Sequence, residues 1–215
     1  MGRNQRNDGW GFLLLFGLGL VYLANKAPQD PPPLPPPRWV GLPPDWADFV
    51  AATQQSPRSC WAACVHMVLK SWGVFVAQDD IISRVKGAAI DSPASDEEIS
   101  VCLDASAVNA NRRWVNIRHR IGNGPVPIAT LIAELNNRRP VLCVYDTGAE
   151  LGHAVLITGV EFVPTPVGPC LLQLVYRDPD PSPTNLANNC RVAKVGEEIP
   201  LFLSSVRRHW LVTIS

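Results

Sequence analysis

The chain has 215 residues, with 19 basic and 19 acidic side chains, so it carries no formal net charge. No basic stripe interleaved with aromatics appears, which excludes an electrostatic nucleic-acid binder as the expected class. About 170 residues remain once the first 44 are set aside, enough for one domain with a real core.

Residues 1–8 are polar and carry Arg3 and Arg6, and residues 10–24 then run apolar until Lys26. The run is shorter than the roughly 20 residues of a spanning helix and is near the length of a signal-peptide core. No small-residue pair marks a cleavage site, and Trp10 and Tyr22 stand near its two ends as interface anchors do. Residues 1–27 are therefore expected to be a membrane anchor or signal segment. The arginines before it place the N-terminus in the cytoplasm and the remainder outside. The expected location is membrane-anchored with an exported domain (periplasmic or extracellular), or secreted if the segment is cleaved.

Residues 28–44 hold nine of the 21 prolines, including Pro-Pro-Pro-Leu-Pro-Pro-Pro. This reads as an extended linker, roughly 50 Å long at about 3.1 Å per residue. Residues 45–215 form the expected domain. The stretch from 38 to 50 should lead onto its surface, with Trp39, Trp46 and Phe49 packing down.

A helix opens at Cys60. Trp61, Cys64, Val65, Val68, Leu69 and Trp72 recur at helical spacing and Gly73 stops the run. A thiol in the first turn feels unpaired backbone N–H groups and the positive end of the macrodipole, which favour a thiolate. Gln54, six residues earlier, offers an amide donor. A nucleophile beside such a donor suits acyl transfer, where charge grows on a carbonyl oxygen.

Further helices are predicted at 78–86 and from Ser95, where Ser-Asp-Glu-Glu forms a capping-box pattern, through Leu103. The loop 87–94 between them is expected near a cleft. A strand at 114–121, an amphipathic helix at 127–138 and a buried strand at 141–145 follow. Residues 152–160 read as a central strand opening at His153, with Gly152 leaving room for close approach. A strand at 171–176 ends in Arg177-Asp178-Pro179. Pairing these two strands antiparallel would set Asp178 beside His153. His66 points away from Cys60 on its own helix, and His119 and His209 lie within strands. A loop at 180–189, a short helix at 197–205 and a closing strand at 208–214 complete the chain. Cys170 and Cys190 would be free to pair if the domain is exported.

Gln54 followed by Cys60-Trp61-Ala62-Ala63-Cys64, then Gly152-His153-Ala154-Val155, then Tyr176-Arg177-Asp178-Pro179, resembles the papain-like cysteine proteases, nearest their bacterial and bacteriocin-leader-peptidase-like branches. The resemblance implies an α+β fold: an N-terminal helical half packed on an antiparallel sheet half, with the active site between them. It implies Cys60 as nucleophile, His153 as base, Asp178 as its orienting group and Gln54 as oxyanion donor. It calls for a peptide or protein substrate, no metal and no organic cofactor. The same residues would also serve an acyltransferase or deamidase, and a membrane-tethered binding module that lost catalysis is a further alternative.

Overall fold

The computed structural model describes residue 33 and residues 35–148, 152–181, 190–194, 196 and 198–215. Those from residue 35 onward belong to one compact unit, Leu34–Ser215. The expected anchor or signal segment lies outside the described residues, as does most of the 180–189 loop. Among the described residues no helix is long and apolar enough to cross a membrane.

The elements in order are β1 (Arg38–Gly41), α1 (Trp46–Val50), α2 (Cys60–Ser71), α3 (Gln78–Lys86), α4 (Asp96–Leu103), β2 (Ala105–Val108) and β3 (Trp114–Asn123). There follow α5 (Ile128–Asn136), β4 (Val141–Tyr145), β5 (His153–Thr165), β6 (Gly168–Arg177), β7 (Cys190–Lys194), α6 (Glu198–Ser205) and β8 (Val206–Ile214). The eight strands form one antiparallel sheet in the order β2-β3-β8-β4-β5-β6-β7, with β1 also paired to β5.

The central strand β5 is buried on both faces, which is why its sequence reads as an unbroken apolar run instead of an alternation. Ala154 and Leu156 face a core shared with α2, α3 and α4, while Val155 and Ile157 face a second core with α5 and α6. The helices thus cover both faces of the sheet. The helical half expected from the sequence is one of two layers. Helix α2 lies deep in the first core: from Cys60 to Leu69 only His66 is not buried. Burying four to five large side chains of this helix, at about 1.5–3 kcal/mol each, fixes it against the sheet. The capping box at Ser95 forms as expected, with Glu98 N–H donating to Ser95 Oγ and Ser95 N–H to Glu98 Oε2.

Three expectations are corrected. The linker does not extend to residue 44, because Arg38–Gly41 is strand β1, paired with Phe162 to Gly159 of β5. A proline run cannot donate a ladder of hydrogen bonds, but it ends at Pro37, and Arg38 restores the donors. Phe49 does not pack down and is 70% exposed, since α1 turns its buried face through Ala47 and Val50. The six cysteines are free. Cys170 lies opposite Val163 and Cys190 opposite Arg177, seven residues apart along β6. At strand spacing that is about 23 Å, far beyond the roughly 7 Å a disulfide can span.

Candidate active site

Cys60 is the first residue of α2, and the segment before it is closed by Ser59. The buried Ser59 hydroxyl accepts from Ser56 N–H at 2.9 Å and donates to the Ser56 carbonyl at 2.9 Å. The next residue fixes the other wall. The Trp61 indole N–H donates to the Ser92 carbonyl at 3.0 Å, drawing the 87–94 loop against the helix so that Pro93 and Ala94 line the cleft.

His153 opens β5 and lies in register with Tyr145 of β4. The Tyr145 ring packs perpendicular to it, centroids 5.6 Å apart at 89°. Gly152 is needed there, for an added Cβ would come within 2.8 Å of Val144 Cγ1. The antiparallel pairing of β5 with β6 returns the chain so that His153 Nε2 lies 2.6 Å from Asp178 Oδ1. Cys60, at the start of α2, is close enough to act on the imidazole. The structure therefore brings Cys60, His153 and Asp178 together, and all three line an open cleft of about 740 Å³ between α2 and the sheet.

Electrostatics bind the group further. Burial disfavours an imidazolium, but the hydrogen bonds to Asp178 and Cys60 and the charges on both outweigh it, raising His153 to about 9. Burial likewise opposes the Asp178 carboxylate, which is 3% exposed. It is overcome by hydrogen bonds from His153 and from Asp180 N–H at 3.0 Å, and by the charges of His153 and Arg191, so its carboxyl is held below the ordinary range. Arg191 Nε lies 2.7 Å from Asp178 Oδ2. Its N–H is not aligned as a hydrogen bond, so this contact is one of charge.

Gln54 does not join the trio at the cleft. Its side-chain NH2 donates to the carbonyls of Ser56 at 3.1 Å and Pro57 at 3.0 Å, and its Oε1 is buried without a hydrogen bond. The amide is turned this way because only its NH2 end can satisfy two carbonyls. Gln54 is not among the described residues that line the cleft. The neighbouring Gln55 is drawn the other way, its backbone N–H donating to Gln78 Oε1 at 3.3 Å.

The remaining histidines serve the framework. His66 Nδ1 is 2.6 Å from the Val76 carbonyl, His209 Nδ1 is 2.8 Å from the Gly124 carbonyl, and His119 Nδ1 is 3.1 Å from Asp104 Oδ1. Cys64, one turn behind Cys60, is fully buried, which pushes its thiol well up. Cys143 is pushed by burial to about 12. Neither is poised as a nucleophile. Among the described residues no group of three or more His, Cys, Asp and Glu side chains is placed to hold a metal.

Sequence reasoning missed Arg191 and Tyr145. Tyr145 was legible as the end of a buried strand but not as the partner of His153, which depends on register. Arg191 is on β7, a short strand that carries no marked apolar alternation.

A helix-borne thiol, a strand-borne imidazole and a carboxylate just past the next strand line one cleft between layers, in a fold of the papain-like cysteine-peptidase class. The chain belongs to the Peptidase_C39 like family, whose model matches residues 47–189. Among solved structures it is similar to the peptidase domain of Streptococcus ComA, a bifunctional ABC transporter involved in a quorum-sensing pathway. That match covers 77% of this chain and 98% of that one, at 15% identity and a TM-score of 0.50, and is a likeness of fold. No curated protein matches the sequence significantly. The chain is thus a cysteine-type peptidase of the branch that includes bacteriocin leader peptidases.

Proposed function

We propose that Cys60, His153 and Asp178 hydrolyse peptide bonds as a triad. The observation that carries this is the position of His153, hydrogen-bonded to Asp178 at 2.6 Å and lining the same cleft as Cys60. Cys60 as thiolate attacks the peptide carbonyl, and the C–N bond breaks as His153 gives its proton to the leaving amine. The neutral imidazole then takes a proton from water, which attacks the thioester and releases the acid. Asp178 holds Nε2–H, leaving Nδ1 for the thiol.

The tetrahedral oxyanion needs donors. The N–H of Cys60, in the first turn of α2, is one of the four that a helix leaves unpaired internally. Gln54 supplies the second by turning one N–H from the Ser56 and Pro57 carbonyls into the cleft when substrate arrives. The substrate is a peptide or protein segment laid between α2 and the start of β5. The N-terminal segment holds this domain at a membrane or directs its export, a reading supported by the apolar run at 10–24 behind Arg3 and Arg6.

The test is irreversible alkylation of the full chain by a thiol-directed peptidyl probe, with mapping of the modified residue. Selective modification of Cys60 near neutral pH, lost in His153→Ala, is expected. Slow, uniform labelling of whichever cysteines are exposed would remove the case for a poised nucleophile.

A further inference from the structure

We infer that Arg191 is a positioning residue for this reaction, the permanent counter-charge that keeps Asp178 ionised while His153 gains and loses its proton. The inference rests on the triad reading and adds to it a fourth side chain.

Topology places it there. Arg191 of β7 is in register with Tyr176 of β6, and residues directly opposite share a face of the sheet. Asp178 follows Tyr176 by two positions, the strand period, so it lies toward that same face. The diagonal separation of such a pair is about 7–8 Å, within reach of an arginine but not of a short side chain. The result is the 2.7 Å contact of Nε with Oδ2, on the oxygen not used by His153. Arg191 also lines the cleft, beside Tyr176 and Asp178.

The proton cycle explains the need. While His153 is an imidazolium, the buried carboxylate has a cation on Oδ1. Once the imidazole has given its proton to the leaving amine, that cation is gone, and an isolated buried carboxylate is costly. The guanidinium keeps its charge throughout. It thereby lets His153 become neutral at the acyl-enzyme stage, when it must act as base. Arg208, which also lines the cleft, is paired instead with Asp96 at 2.7 Å. Tyr145 of β4, Tyr176 of β6 and Cys60 and Cys64 of α2 carry no positive charge, Glu198 of α6 faces Tyr176 and is acidic, and Asp180 offers its backbone N–H.

The test compares the full chain with Arg191→Gln and Arg191→Lys, following the His153 ring by nuclear magnetic resonance across pH and turnover of a peptide substrate. Arg191→Gln should move the His153 titration upward by about one pH unit, because the carboxylate then bears on the imidazolium alone. It should lower kcat about tenfold with KM nearly unchanged. Arg191→Lys should keep the titration within a few tenths of the parent and recover most of kcat. Arg191→Met, with circular dichroism to check folding, serves if the glutamine variant does not fold. Coincident titrations in the parent and the charge-removing variants, or a lysine variant as impaired as the glutamine one, would overturn the role of the charge. A parent chain whose His153 titrates like a free imidazole and whose Cys60 is not selectively labelled would overturn the triad and this inference together.

Discussion

The backbone N–H of Gln54 donates to the carbonyl of Pro179 at 2.8 Å, tying the segment before α2 to the turn just after Asp178. One hydrogen bond thus joins the two sides of the cleft, the approach to the nucleophile and the carboxylate that orients the base. Because it uses backbone atoms, it survives substitution of the Gln54 side chain. Gln54→Ala should therefore fold normally and alkylate at Cys60 at the parent rate, yet lose about 10²-fold or more in kcat, the usual cost of one oxyanion donor. Equal turnover in the variant and parent would leave Cys60 N–H as the donor without Gln54.

Asp178→Asn tests the orienting group. An amide can present its NH2 to Nε2 and favour the wrong imidazole tautomer, so kcat should fall by about 10² or more with little change in KM. The loss of the carboxylate also strands Arg191, so a lower melting temperature is expected. Steady-state kinetics and thermal unfolding read the two effects separately.

The raised His153 gives stability a sign with pH. Its folded value of about 9 lies above the ordinary imidazole value of 6.5, so protonation favours the folded state. That contribution is complete below about pH 6.5 and is lost as pH rises through about 9. Asp178 acts in the opposite sense: its lowered carboxyl stabilises the fold above the ordinary carboxylate range and ceases to do so as pH falls through its own depressed value. The melting temperatures of the parent and His153→Ala should be furthest apart at about pH 6 and converge as pH rises through about 9. A gap that stays constant from about pH 6 to about pH 10 would contradict the linkage.

Trp39 of β1 lies on Gly159 of β5, where an added Cβ would come within 2.5 Å of the indole Cζ2. Gly159→Ala should cost about 1–3 kcal/mol, the range for overpacking a fitted contact. In a Trp39→Ala background the same substitution should cost much less, since the clashing ring is gone. Additive penalties in denaturant unfolding would show that the strain lies elsewhere.

Much of this arrangement is carried by the sequence. The apolar periodicity of 61–72 with Gly73 behind it forces a helix that begins at Cys60, because nothing else buries Trp61, Cys64, Val65 and Val68 on so short a stretch. The apolar run after His153 is that of a strand covered on both sides, and the Ser95 box satisfies the first N–H groups of its helix from local residues alone. These are local matters, settled within a turn or a pleat. The linker boundary, the strand at 190–194 and the separation of Cys170 from Cys190 are not, because they depend on which edge of β5 or β6 accepts a partner. The same holds at the site. Cys60, His153 and Asp178 were legible as residue types with local settings, but the 2.6 Å contact, the Tyr145 ring beside it and the Arg191 charge behind it exist only once register is fixed. Register is decided by burial on both faces of the sheet, a property of the whole domain and not of any one stretch.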